Sequence, residues 1–206
     1  MTTSRDLMIT AMEVESSRPV ERSELSLALA GAELIDLLAV GAATLDGDQV
    51  VPGHRTAITD RLLDQAAASL VRESPYESIG DWLWRRGRGL AAAYLDAFEV
   101  EGQLTRQHWH WIPLRTGPPV LVDSLDRRLA GDRWATNEPV LAALGAAVGI
   151  PDKGIGDAPS VAGGAVEDDA VENVLAEVNG ALVELEAVRQ RRSIEKAAFD
   201  NIWRGG

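Results

Sequence analysis

The sequence predicts a mainly α fold, a compact single-domain helical bundle around a central apolar helix, with small β-hairpins at its periphery. The first observation is the segment from Leu25 to Val40, in which only Ser26, Glu33 and Asp36 interrupt the apolar residues. A helix that is apolar on nearly all sides has to be covered by other helices. The second observation is the sequence ATLDGDQVV that follows it, because an Asp-Gly pair between apolar runs is typical of a β-hairpin.

The first half of the chain supplies helices that can cover the central one. Apolar residues at helical spacing predict a first helix over Arg5 to Val14, and Ser23 is the expected N-cap of the central helix. Asp46-Gly47 is the expected turn of the hairpin. Three further amphipathic helices are predicted from their apolar faces and the glycines between them: Asp60 to Glu73, Ser78 to Arg86 and Leu90 to Glu101.

The second half of the chain predicts another hairpin and two more helices. The strands LTRQHWHWIPL and PPVLV are joined by Arg115-Thr116-Gly117, and their prolines keep this hairpin short or at an edge. One helix is expected after Asp123 and Ser124, running to Ala130, and another runs from Asn137 to Val148.

Composition divides the chain into three parts. Residues 1–150 are expected to form the helical core, and residues 151–165 a flexible linker, because this stretch is rich in glycine and other small residues. Residues 166–206 are expected to form a C-terminal helix. Its apolar residues from Val171 to Val188 follow alternating three- and four-residue steps, so it should dock on the core or on a partner.

The net charge of −12 and the pI of about 4.7 exclude several classes of function. Such a chain repels a polyanion, so nucleic acid is not an expected partner, and contact with anionic lipid needs a local basic patch. The chain has no cysteine and therefore no disulfide or thiolate chemistry. No export signal is visible and the central apolar segment is too short to span a bilayer. The expected location is cytoplasmic, with peripheral contact at the inner face of the membrane.

No pattern of residues predicts an active site. The three histidines are His54, His108 and His110, and the last two share one face of a strand without a third ligand, so no metal is expected. No phosphate-binding glycine loop opens a helix after a strand, and no serine has a nucleophile-elbow setting. We therefore expect neither a cofactor nor catalysis.

One cluster, Trp82-Leu83-Trp84-Arg85-Arg86-Gly87-Arg88, combines basic and aromatic residues. Arginines near a helix start can hold phosphate through paired hydrogen bonds, and tryptophan favours the membrane interface. Arg85, Arg86 and Arg88 are therefore candidates for binding an anionic lipid head group. The alternative is that Trp82 belongs to the core and the arginines lie on a solvated turn.

The last residues, RQRRSIEKAAFDNIWRGG, also mix basic and aromatic side chains. Phe199, Ile202 and Trp203 supply the apolar part. The pattern is compatible with a membrane surface, and equally with capping of the last helix and docking on the core.

Four segments taken in order carry a resemblance to a known family: LALAGAELIDLLAVGAATL, LLDQAAASLVRESPYESIGDWL, AYLDAFEVEGQLT and the hairpin return PLRTGPPVLVDSLDRRL. Together they resemble a bacterial member of the Golgi phosphoprotein 3 family, whose eukaryotic members are peripheral membrane proteins of the Golgi. The resemblance covers roughly Arg5 to Val148. Beyond it, the last segment resembles the family only in being a helix.

The resemblance implies a compact helical domain that recognises phosphatidylinositol 4-phosphate on a membrane-facing surface. It also implies an adaptor role that holds glycosyltransferases by their cytoplasmic tails, without catalysis. The hairpin after Gly102 is implicated in self-association in this family, which here implies a role for Trp109 and Trp111.

The resemblance also places the family's lipid pocket on four positions of this sequence. Its tryptophan falls near Glu21, its first arginine on Ala30, and its later pair of arginines on Arg88 and Ala91. Arg88 alone keeps the family's residue, and the other two arginines of the cluster are nearby substitutes. Charge-assisted hydrogen bonds are worth roughly 1.5–3 kcal/mol each, so their loss weakens phosphate binding unless other residues replace them.

Two functions remain open. The chain is either a peripheral membrane adaptor that binds phosphatidylinositol 4-phosphate or another anionic lipid head group, with protein clients, or a soluble self-associating interaction module without lipid binding. The first predicts a basic, aromatic-flanked surface that includes Arg88. The second predicts that Trp109, Trp111 and the face from Val171 to Val188 lie in a protein interface, as in a homo-oligomer.

Overall fold

The structure is a computed structural model that describes residues 2–14, 20–54, 57–108, 116–151 and 168–204. The described residues form eight helices and two antiparallel two-stranded sheets, which confirms the predicted mainly α fold. The helices are α1 (Thr3–Glu13), α2 (Arg22–Ala39), α3 (Arg61–Ala68), α4 (Ile79–Arg86), α5 (Leu90–Val100), α6 (Leu125–Ala135), α7 (Pro139–Ala147) and α8 (Asp169–Arg204). The strands are β1 (Ala43–Asp46), β2 (Gln49–Pro52), β3 (Leu104–His108) and β4 (Thr116–Leu121).

Helix α2 is the hub of the core, as its apolar sequence predicts. Every residue from Glu24 to Leu37 is buried. Helices α1, α3, α4, α5, α7 and α8 all pack against it. Removing this apolar surface from water is the main stabilising contribution of the arrangement.

Asp36, one of the polar interruptions of α2, fixes the start of α1. Its carboxylate accepts hydrogen bonds from the backbone amides of Thr3 at 2.9 Å and Ser4 at 3.1 Å, and from the Ser4 hydroxyl at 3.2 Å. The first turn of a helix leaves such amides unpaired, and a carboxylate there also suits the helix dipole. Burial raises the pKa of Asp36, and these hydrogen bonds oppose the rise.

Glu33, a second interruption, joins α2 to α4 and α5. Its fully buried carboxylate accepts two hydrogen bonds from the Arg86 guanidinium, at 2.7 and 2.9 Å, and one from the Tyr94 hydroxyl at 3.0 Å. Arg86 also donates to the carbonyl of Leu62 in α3 at 3.0 Å. Burial raises the pKa of Glu33, although the bonds from Arg86 oppose the rise. Four helices therefore meet at one buried ion pair.

Two helix caps differ from the prediction. The N-cap of α2 is Glu21, without a side-chain hydrogen bond, and not Ser23. The Ser23 hydroxyl instead accepts a hydrogen bond from Arg189 of α8, a partner that sequence spacing does not reveal. Helix α7 is capped by the Glu138 side chain, and Asn137 lies before it in the left-handed region with φ of 54°.

The hairpins also differ in detail from the prediction. The first turn consists of Gly47 and Asp48, one residue later than expected, and Gly47 has a φ of +62° that favours glycine. In the second hairpin, β4 already begins at Thr116, so the predicted turn residues Thr116 and Gly117 lie in the strand. Residues 109–115, including Trp109 and Trp111, lie outside the described residues.

Two helices have unexpected lengths. Helix α3 ends at Ala68, earlier than predicted, and the Ser69 hydroxyl donates to a carbonyl of its last turn. Helix α6 continues to Ala135, further than predicted. Its Trp134 ring packs directly on Gly145 of α7, where a Cβ would lie 2.6 Å from the ring.

Helix α8 packs against α2, α4 and α7. Val174, Val178 and Ala181 are buried in this contact, at the three- and four-residue steps seen in the sequence. The predicted linker falls almost entirely within residues 152–167, outside the described part of the chain. None of the described helices is both long and apolar enough to cross a membrane.

A buried carboxylate lies between α1 and α6. Asp6 is fully buried, and its Oδ1 has no hydrogen-bond partner among the described residues. Its Oδ2 pairs with Arg133 of α6. Burial raises the pKa of Asp6 from 3.8 to about 6, although Arg133 opposes the rise. The folded protein therefore binds this proton more tightly than the unfolded chain does.

We expect stability to fall as the pH rises from about 5 to 8. The contribution of protonated Asp6 to stability is fully present below the unfolded pKa of 3.8 and is lost as the pH rises through the folded pKa of about 6. Over this window the loss is on the order of 1 kcal/mol. Urea unfolding at several pH values measures it. Asp6→Asn should flatten the profile, and an unchanged slope in this variant would assign the pH dependence to other groups.

Candidate functional site

A groove opens where the start of α2 meets the start of α5. It has a volume of about 340 Å³, with α8 on one side and the turn between α4 and α5 on the other. Arg22, Ser26 and Arg88 contribute polar groups to its lining, and Trp84 and Leu185 contribute apolar surface. Its size is within the usual range of small-ligand pockets.

Ser26, the third polar interruption of α2, brings the two helix starts together. Its hydroxyl donates to the carbonyl of Arg22 at 2.7 Å and accepts from the amide of Ala91 at 3.1 Å. The turn can approach this closely because residue 87 is glycine: a Cβ there would lie 3.2 Å from the carbonyl oxygen of Ser26. Gly89 then begins α5 with a φ of +72°, a conformation that side chains disfavour.

Two arginines give the groove its charge. Arg22 lies on the first turn of α2 and Arg88 on the turn before α5, and both are exposed. In the part of the chain that the structure describes, neither guanidinium is engaged by a carboxylate. The positive ends of the α2 and α5 dipoles lie at the same place. The groove is therefore suited to an anion.

The acidic side chains closest to the start of α2 are held by Arg189 of α8. Arg189 lies 2.5 Å from Glu24 and 3.8 Å from Glu21, and it also donates to the Ser23 hydroxyl. Arg189 also lies 3.7 Å from Glu186 of α8 itself. These contacts offset part of the negative charge beside the groove and fix α8 along its edge. Arg22 and Arg88 add two positive charges beside these carboxylates, in a chain of strongly negative net charge.

The other part of the groove is apolar. Leu27 is buried beneath it, Trp84 is partly exposed, and Leu185 closes it from α8. Guanidinium groups above an apolar floor suit a ligand with an anionic end and a less polar remainder. The arrangement provides binding groups for such a ligand.

Only one of the three arginines predicted from sequence lines the groove, and that residue is Arg88. Arg85 binds Glu77 through two hydrogen bonds of 2.9 and 2.5 Å, with its guanidinium 5.2 Å from the centre of the Trp82 ring. Arg86 is held in the buried pair with Glu33. Trp82 itself is a core residue, fully buried.

Sequence reasoning missed Arg22. The available signal was Ser26, a polar residue one helical turn later in an otherwise apolar helix. A buried hydroxyl needs a hydrogen-bond partner, so Ser26 indicated that another element docks beside the start of α2. The sequence did not reveal that this element carries Arg88.

The sequence model of the Golgi phosphoprotein 3 (GPP34) family matches residues 4–191. The chain belongs to this family. The match extends well past Val148, where the resemblance seen in the sequence ends, and takes in the docked part of α8. No individual curated protein matches the chain at a significant level.

The Golgi phosphoprotein 3 family binds lipids and proteins and is not a family of enzymes. Of the four positions at which the resemblance places its lipid pocket, Arg88 and Ala91 line the groove. Glu21 lies directly before Arg22, at the same helix start. Ala30 is fully buried and accepts a hydrogen bond from the Trp82 indole at 3.0 Å.

Proposed function

We propose that this protein is a peripheral membrane adaptor that binds an anionic lipid head group in the groove between α2 and α5. Phosphatidylinositol 4-phosphate is the proposed lipid, by family resemblance. The observation that carries the proposal is the pair Arg22 and Arg88, two exposed guanidiniums beside an apolar floor in an acidic chain. We further propose that protein clients bind to the molecule at the membrane, as the family resemblance implies.

The chemistry of phosphate supports this assignment. A phosphate monoester carries close to two negative charges at neutral pH, and a guanidinium can donate two parallel hydrogen bonds to it. Arg22 supplies a positive charge from the start of α2. The family's pocket tryptophan falls at the same helix start, near Glu21. Arg22 can thus replace one of the two charges that are missing at Ala30 and Ala91. Trp84 and Leu185 give the groove an apolar lining, which suits the glycerol and the first methylenes of a lipid.

The test is co-sedimentation with vesicles of phosphatidylcholine alone, with phosphatidylserine, and with phosphatidylinositol 4-phosphate, at two salt concentrations. We expect selective and salt-sensitive binding to the phosphoinositide vesicles. Arg88→Ala should weaken it by roughly tenfold or more, because a charge-assisted hydrogen bond is worth about 1.5–3 kcal/mol. Arg22→Ala should have a similar effect.

Arg61→Ala is the matched control, since Arg61 is an exposed arginine on α3 that does not line the groove. Equal losses in the Arg61 and Arg88 variants would contradict a specific site. The stability of Arg88→Ala should stay within about 0.5 kcal/mol of the wild type, as for most exposed side chains. A large drop in Tm would make Arg88 a structural residue.

A second candidate function, a self-associating interaction module, is favoured by exposed apolar residues on α6. Leu125 is 69% and Leu129 43% exposed, one helical turn apart. The proposed roles of Trp109 and Trp111 in self-association stay predictions. A wild-type protein that sediments with none of the vesicles, yet forms oligomers that Leu125→Asp disrupts, would replace the lipid function with this one.

A further inference from the structure

Helix α8 continues well past the core on which it docks. Its last ion pair with the core, among the described residues, joins Arg189 to Glu24 of α2. The helix then runs on to Arg204, and residues 190–196 are all exposed. We call residues 190–204 the overhang; at 1.5 Å per residue its length is roughly 22 Å. Nearly all of it lies beyond residue 191, where the family match ends.

The overhang differs in charge from the rest of the molecule. It has four basic and two acidic residues, whereas the docked part of α8 from Asp169 to Arg189 has five acidic residues and one basic residue. The helix dipole favours basic residues only in the last turn. Arg191, Arg192 and Lys196 lie before that turn, so the dipole does not account for them.

The basic residues continue the face by which α8 docks. That face has Val174, Val178, Ala181 and Leu185 at steps of four and three residues, and Leu185 lines the groove. The same register leads to Arg192 and Lys196, both exposed. Phe199 and Trp203 follow in the sequence. This face of the helix thus changes from apolar on the core to basic beyond it.

We propose that the overhang is a second membrane-contact element, which lies on an anionic bilayer next to the groove. Basic residues on one helix face, in a segment whose sequence also contains aromatic residues, are typical of helices at the membrane interface. Its position supports the same partner, because the overhang starts directly after Arg189, whose guanidinium donates to Ser23 at the edge of the groove. A parallel coiled coil with a second copy, in the register of Val174 to Leu185, would place Arg192 and Glu195 each against a like charge at positions that need apolar residues.

The first test uses vesicles of equal parts phosphatidylcholine and phosphatidylserine. They contain no phosphoinositide, so the result is independent of head-group selectivity in the groove. Arg192→Glu combined with Lys196→Glu should weaken partitioning by about tenfold or more, since basic residues near an anionic surface each add to the attraction. The control, Arg61→Glu with Arg72→Glu, changes the net charge equally at exposed arginines outside α8. Equal losses in both doubles would overturn the proposal.

The second test uses the absence of cysteine from the chain, which allows one introduced thiol to carry an environment-sensitive fluorophore. Ser193→Cys places it on the overhang. Gly180→Cys, an exposed position with nothing within 4 Å of its Cβ, places it on the docked part of α8. With the same vesicles, we expect blue-shifted emission at 193 and not at 180. A label at 193 that stays in water on bound protein, or is already shielded without vesicles, would overturn the proposal.

Discussion

Arg86→Ala is expected to destabilise the fold by about 3–5 kcal/mol, which is the usual consequence of removing one partner of a buried ion pair. The variant leaves the Glu33 carboxylate fully buried, and among the described residues only the Tyr94 hydroxyl then donates to it. It also removes the hydrogen bond to Leu62 that holds α3. Urea unfolding followed by circular dichroism measures the loss, and Arg88→Ala is the matched control on the same turn.

A double variant separates two effects of Arg86→Ala: the loss of the contacts that the arginine makes, and the cost of leaving the Glu33 carboxylate buried without its partner. Glu33→Leu together with Arg86→Met should recover much of the lost stability, because well-packed apolar residues often replace a buried ion pair without penalty. If Arg86→Ala instead unfolds at the urea concentration of the wild type, the pair does not hold the fold. Arg86 would then return as a candidate for binding the lipid phosphate.

The three arginines of the cluster show where sequence reasoning stops. Arg85, Arg86 and Arg88 lie within four residues, and nothing in their spacing distinguishes a surface pair, a buried pair and a free guanidinium. The partner of Arg86 is 53 positions away in the sequence, on another helix. Periodicity indicates which face of a helix is buried, but it does not indicate which acidic residue of another helix lies opposite.

The order of the elements was predictable because its signals are local. Each signal lies within a single element: the apolar run in α2, the Asp-Gly pair in the first hairpin, and the regularly spaced valines in α8. The groove was not predictable, since it depends on Ser26 holding the start of α5 against the start of α2. The prediction of Ser23 as the N-cap of α2 was wrong for the same reason: its hydroxyl binds Arg189, on a helix that is distant in the sequence.

Gly31→Ala is expected to destabilise the protein by about 1–3 kcal/mol, although alanine is the better helix former. Gly31 lies on α2 where α8 crosses it, and a Cβ there would lie 2.3 Å from Cγ2 of Val178. Val178 is fully buried and β-branched, so its side chain cannot easily turn away. The glycine therefore allows α8 to approach, and thermal unfolding measures the effect of closing that space.

Val178→Ala in the Gly31→Ala background tests this explanation. Val178→Ala removes the methyl groups that the new Cβ would meet. The double variant should therefore be more stable than the sum of the two single losses predicts. Residues in contact show such interaction energies of about 0.5–3 kcal/mol, so we expect a difference of about 0.5 kcal/mol or more. Additive losses would mean that the two residues do not touch. Since α8 also brings Leu185 to the groove, Gly31→Ala should reduce stability and vesicle binding together, whereas Arg88→Ala should reduce vesicle binding alone.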